Sequence, residues 1–226
     1  MRLLQIVFAG LLVAAVAACP LMPAYSYRYR VTVEVDTPQG LRSASSVWGT
    51  SDWDNSSPLT TGMHSEERGE AVAVDLPRGT LFALMRGADM RYDLISNVIA
   101  GHLAKHPEPG FEMVNDWKAN GRLIRDRAPS FDLDPDEYPL LVRFADRQNP
   151  ATVQKIDPYD LSVFGPGVRL SRIHVAVTTD RAESHIYDRL PWLKARRGAL
   201  DRSVCEDLAH QPLSCRVTDS DFKTGR

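Results

Sequence analysis

The chain has 226 residues, 43% hydrophobic and 25% charged, with 27 basic against 29 acidic residues and a formal charge of −2. That length allows one substantial core or two small ones. The near-neutral balance argues against nucleic acid, whose binding selects for concentrated positive charge, so no nucleic-acid partner is expected.

Arg2 precedes a mostly apolar run from Leu3 to Ala18 that closes on Val16-Ala17-Ala18-Cys19. The run is shorter than the roughly 20 apolar residues that cross a bilayer, so residues 1–18 read as an export signal. The tetrad VAAC resembles the bacterial lipobox. That resemblance implies that Cys19 is acylated, becomes the mature N-terminus and fastens the protein to a membrane. In lipoproteins an aspartate after the cysteine marks inner-membrane retention; Pro20 stands there, which points to the outer membrane, periplasmic side. The alternative is an ordinary cleavage after Ala17, at Ala15-Val16-Ala17, leaving Cys19 a spare thiol. Losing Arg2 with the signal leaves 26 of the 27 basic residues against 29 acids, a charge of −3.

Residues 19–26 form a tether. The stretch from Pro20 to Ser26, stiffened by two prolines, spans at most roughly 25 Å, which keeps the folded domain close to the membrane surface. From Tyr25 to Val35 every odd position is apolar (Tyr25, Tyr27, Tyr29, Val31, Val33, Val35) and the even ones are polar, the signature of a strand with one buried face. A tyrosine stripe can stack on ligands, but its continuation into valines predicts core packing. The turn Thr37-Pro38-Gln39-Gly40 and a weaker strand from Leu41 to Trp48 complete a hairpin.

Ser51 to Gly69 reads as a long polar loop, and loops of this length in compact domains are functional or disordered. Asp52, Trp53 and Asp54 are its candidate binding residues. A calcium loop counted from Asp52 would need glycine at Ser57 and glutamate at Met63, so calcium is not expected. Asn55-Ser56-Ser57 fits a glycosylation acceptor, which matters only outside bacteria. Glu70–Leu76 and Thr80–Met85, joined by Pro77-Arg78-Gly79, predict a second hairpin.

Ile95, Val98, Ile99, His102 and Leu103 form one stripe at helical spacing, with Asp89 a plausible N-cap and Pro107 the stop. His102 and His106 are four apart, a spacing that can chelate a metal, but Leu103, Ala104 and Lys105 between them lack the glutamate of a zinc peptidase. Histidine at the edge of a core is the favoured reading, with no metal and no cofactor. Residues 107–137 carry no clear pattern: Asn120-Gly121 is a turn or a helix stop, and Asp132, Asp134, Asp136 and Glu137 form an acidic cluster read as a solvated connection. Tyr138–Ala145 predicts a buried strand, and Asp157–Phe164 a short helix stopped by Gly165-Pro166-Gly167. Val168–Thr178 alternates with one phase slip, which a bulge near Ser171 would explain.

With Cys19 set aside for lipid, Cys205 and Cys215 remain, an even pair expected to form a disulfide in an oxidising compartment. A metal clip using His210 is the alternative. Lys194, Arg196 and Arg197 read as a solvated helix face.

The succession YRYRVTVEVDTPQG, GEAVAVDLPRGTLFAL, YPLLVRF and DPYDLSVFGPGVRLSRIHVAVT resembles an uncharacterised family of exported bacterial proteins over most of residues 25–180. That resemblance carries no activity or catalytic residues. The segments together predict an α+β fold, a mainly antiparallel sheet of hairpins with one packed helix and a short second helix. The domain plan is a signal over 1–18, a tether over 19–26, a single α+β domain over 27–180, and a C-terminal extension over 181–226 that holds the disulfide.

The sequence has no G-x-S-x-G elbow, phosphate loop or H-E-x-x-H, though serines and six histidines leave a triad assembled in space open. The expectation is a membrane-anchored envelope protein that binds another envelope component through the Ser51–Gly69 loop. Two other classes stay open: a periplasmic hydrolase using Asp134 or His102, and an inhibitor or immunity-type lipoprotein.

Overall fold

A computed structural model describes residues 25–54, 62–90, 94–114, 116–206 and 211–225. The signal, Cys19, Asn55 and His210 lie outside the described residues. The alternating run becomes β1 (Tyr25–Thr37), and Tyr29, Val31, Val33 and Val35 are almost fully buried. Thr37 locks the turn, donating from Oγ1 to the Gly40 carbonyl at 2.7 Å and accepting from the Gln39 amide at 3.2 Å. Gly40, at φ +106°, adopts a backbone conformation that a Cβ would disfavour. The chain then returns as β2 (Gly40–Asp54), and β3 (Met63–Glu70) adds antiparallel to it.

On the other side of β1 lies β9 (Arg169–Thr178). Glu34 pairs with Arg172 and Val35 with Leu170, so Ser171 is the extra residue of a bulge, and inward alternation resumes beyond it. With β6 (Ser130–Asp132) on β9 and β10 (Lys223–Thr224) on β3, the sheet has six strands in the order β10-β3-β2-β1-β9-β6.

A second antiparallel sheet, ordered β4-β5-β7-β8, is built from β4 (Val72–Leu76), β5 (Gly79–Gly87), β7 (Pro139–Phe144) and β8 (Val153–Lys155). After Gly79 every residue of β5 is buried, because both faces of this sheet are covered. Leu81, Ala83 and Met85 join a core shared with β1 and β9. Phe82 and Leu84, one residue out of phase, join a second core with Ile186, Leu190, Leu193, Val217 and Phe222. The C-terminal segment is therefore the third layer of the molecule. Two helices, α1 (Leu94–Lys105) and α2 (Trp117–Arg127), complete the first core through Val98, Ile99, Leu103 and Ile124.

These observations correct the expected α+β fold with one packed helix and a short second one. The protein is mainly β, with ten strands in two antiparallel sheets and four short α-helices among the described residues, α3 (Ile186–Arg189) and α4 (Leu213–Arg216) being single turns. The predicted helix over Asp157–Phe164 is a β-bridge between Asp157 and Asp160 followed by a 3-10 turn at Ser162–Phe164. The Asp157 and Asp160 carboxylates accept from the Tyr159 and Ser162 amides, local bonds that compete with helix propagation. Conversely, α2 runs through Asn120-Gly121, started by the Asp116 side chain, which accepts from the Lys118 and Ala119 amides, and ended by Ala128 at φ 47°.

Strand pairing also extends into the Ser51–Gly69 segment: Asp52, Trp53 and Asp54 lie in β2, and the Trp53 ring stacks on His64 of β3 with centroids 5.8 Å apart. The polar composition suits an exposed hairpin, where cross-strand pairs rather than burial hold the register.

Polar ties hold the third layer in place. The buried Glu70 carboxylate accepts from the His185 amide at 2.8 Å and the Ile186 amide at 3.1 Å, capping α3 from across the fold. Arg86 and Asp221, both almost fully buried, pair at 3.0 Å, and Arg86 also donates to the Arg216 carbonyl at 2.6 Å. Burial pushes the Asp221 carboxyl above its ordinary range, against the pull of Thr218 and Arg86. Cys205 and Cys215 form the expected disulfide, their Cα atoms 5.4 Å apart.

Candidate functional site

A cleft of about 1050 Å³ lies at the end of the six-stranded sheet where β1 begins. Six segments meet there: the start of β1, the far end of β2, Arg68 and Gly69 of β3, the C-terminus of α2, the end of β9 with the stretch after it, and β10 with Gly225. They bring Arg28, Arg68, Arg125, Arg181 and Lys223 to its walls, against Glu183 as the sole lining carboxylate among the described residues.

Glycines shape the cleft. The Arg28 stem lies over Gly49, where a Cβ would come within 2.9 Å of Cγ, and the Arg68 stem lies over Gly225, where a Cβ would come within 2.6 Å. Bare backbone at these positions lets both guanidinium stems lie flat against the fold. Arg68 is also held by Glu66 at 3.1 Å, and Lys223 donates to the Ser184 hydroxyl at 2.5 Å. Among the described residues, neither Arg28 nor Arg181 is hydrogen-bonded or ion-paired to a carboxylate; Asp180 senses the Arg28 charge through space while pairing with Arg30 at 2.6 Å. Tyr27 lies in the floor, where burial above all, then the charges of Asp52 and Glu67, push its phenol well above the ordinary range and keep it neutral.

The acidic cluster over 132–137 folds against α1. His102 Nδ1 is 2.7 Å from Glu137 Oε2, with the imidazole stacked on Phe131 at 3.8 Å and a 2° interplanar angle. His106 Nε2 is 2.7 Å from Asp134 Oδ2, and Lys105 Nζ is 2.6 Å from Asp136. Lys105 draws the exposed Asp136 carboxyl below its ordinary range, chiefly through that hydrogen bond. Each acidic side chain of the cluster thus has a cationic or imidazole partner, and the connection, with Asp132 and Asp136 exposed and Asp134 partly exposed to solvent as the sequence suggests, is also a clasp. Across the helix, His102 sits at the core edge as expected, 8% exposed. Among the described residues no group of three or more His, Cys, Asp or Glu side chains is arranged to hold a metal.

One array has the hydrogen-bond order of a nucleophilic triad. Ser130 Oγ is 3.0 Å from His174 Nε2, and His174 Nδ1 is 2.6 Å from Asp132 Oδ1. The register produces it: Asp132 pairs directly with His174, and Ser130 lies two residues along on the same face of β6. Asp132 is shared with Arg172 at 3.5 Å, and none of these three residues lines either of the two best-formed cavities. An exposed sheet face offers no preorganised donors for a developing oxyanion, which is where most of the catalytic effect of such an array arises.

Of the residues singled out in the sequence, the structure brings His102 and Asp134 into one clasp but pairs them with different partners. Asp52 and Trp53 stand in the hairpin whose base, at Ser51 and Arg68, borders the cleft. The basic lining was missed, since each of its members is a solitary cation far in sequence from the others. The chain matches no family model, no curated protein and no solved structure.

Proposed function

We propose that this chain is a lipid-anchored protein of the bacterial cell envelope that works by binding, facing the periplasm from the outer membrane. The observation that carries the reading is the apolar run closed by VAAC, with Cys19 as the acylated residue. The short tether to β1 supports it further: the cleft includes Ser26, so a chain fastened at Cys19 would hold this cleft toward the membrane. The β2–β3 hairpin rises beside the cleft and remains the surface for an envelope partner, including a toxin or enzyme held by an immunity-type lipoprotein. Mass spectrometry of the protein extracted from membranes tests the anchor. A diacylglyceryl group on an N-terminal Cys19, lost in Cys19→Ser together with membrane association, is the expected result; an unmodified thiol or a mature start elsewhere overturns it.

The Ser130–His174–Asp132 array favours a second reading, a periplasmic hydrolase. Labelling with a fluorophosphonate probe separates the two. Labelling abolished by Ser130→Ala in a folded protein would establish an activated serine and displace the binding reading, which expects none.

A further inference from the structure

We propose that the basic cleft is a site for a phosphate-bearing anion, either the headgroup of an anionic phospholipid or a soluble phosphorylated molecule. The proposal names the ligand class for the binding reading and rests on it. Charge comes first. The whole chain carries −2, yet five cations line this one cavity against a single lining carboxylate; Glu66 engages Arg68 and Asp126 engages Arg125, which leaves Arg28, Arg181 and Lys223 to attract an anion.

The cations themselves suit phosphate. Four of the five are arginines, whose planar guanidinium forks match phosphate oxygens two bonds at a time. Arg28 and Arg181 have no carboxylate in hydrogen-bond or ion-pair contact among the described residues, so their donors are available to a ligand. Construction adds to this. Gly49 seats the stem of Arg28, and Gly225 with Glu66 holds Arg68, which limits the side-chain freedom left to be lost when a ligand arrives. At about 1050 Å³ the cleft holds far more than one inorganic ion, as a phosphodiester headgroup or a phosphorylated sugar would require.

The test uses the full chain in a non-ionic detergent. Calorimetric titration with pyrophosphate should give saturable, salt-sensitive binding that weakens about tenfold or more in Arg28→Glu/Arg181→Glu, and by less in Arg28→Gln/Arg181→Gln, with unchanged circular dichroism in both. Phenylglyoxal modification of Arg28 and Arg181, read by mass spectrometry after reconstitution, identifies the source. Protection in phosphatidylcholine vesicles containing phosphatidylglycerol, but not in phosphatidylcholine alone, assigns a lipid headgroup. Protection by pyrophosphate without protection by phosphatidylglycerol assigns a soluble ligand. The proposal is overturned if neither agent protects these arginines, or if pyrophosphate affinity is the same in the charge-reversed variant. These readouts are independent of Cys19, so an unmodified thiol would remove the anchor and leave the cleft standing.

Discussion

The two faces of the four-stranded sheet are covered by different means. Toward β1 the contact is periodic and apolar, strand side chains alternating into a continuous core. Toward the C-terminus it is a run of short turns, held by scattered apolar anchors, by two buried polar ties, Arg86–Asp221 and Glu70 to α3, and by a disulfide within the segment itself. An apolar sandwich loses stability gradually as methyl groups are removed, whereas a layer fixed by single buried ties loses it in large steps, because each tie leaves an unpaired partner when cut. The third layer is therefore expected to be the part of the molecule that opens first.

Cutting the buried ion pair gives the largest expected effect. Arg86→Ala strands Asp221 in the core and should lower the unfolding free energy by about 3–5 kcal/mol in urea denaturation, while Arg86→Met with Asp221→Leu recovers much of the loss. If the single variant were nearly neutral, the third layer would not depend on that tie. Next comes Cys205→Ser/Cys215→Ser, for which closure of a loop with sequence separation 10 predicts about 2–3 kcal/mol in the chain-entropy model. Hydrogen exchange should show the loss confined to the C-terminal segment, with β1 amides still protected. Glu70→Ala leaves the His185 and Ile186 amides without their acceptor and should reduce stability by about 1–3 kcal/mol, read as faster exchange at those amides than in β2.

The smallest effect is a pH dependence at the exposed rim of the same layer. Arg189 holds the Asp75 carboxyl below its ordinary range, chiefly by hydrogen bonds at 2.6 and 2.7 Å. Because the folded value is the lower one, this contribution is present at neutral pH and is lost as acid titrates the carboxyl through its depressed value. Melting temperature measured from neutral to acid pH should fall less steeply in Asp75→Asn than in the wild type. Equal slopes would show that the pair adds nothing.

The contrast also explains what the sequence could reveal. Period-two alternation makes β1 legible, and the phase slip between Leu170 and Ile173 points to a bulge near Ser171, because both are local consequences of one buried face. β5 and β7 were readable as apolar runs, but two-sided burial hides the sheet to which each face belongs. Leu190, Leu193, Leu200, Val217 and Phe222 show no period, since turns rather than regular elements present them, so the third layer was read as an extension. α2 was hidden by Gly121, whose low helix propensity is outweighed by the Asp116 cap and the burial of Ile124. The cleft is illegible for a simpler reason: Arg28 and Lys223 share a wall only after the chain has closed, and no spacing rule links them.

The two-residue β10 has a consequence out of proportion to its length. Its pairing of Lys223 with Glu70 and Thr224 with Gly69 stoppers the outermost rung of β3, a strand whose donors and acceptors would otherwise stand open at the margin of the larger sheet. Displacing that stopper would lengthen the stretch of β3 open to a strand from another molecule, so deleting Lys223 and Thr224 is expected to raise self-association, read by sedimentation, before it changes folding.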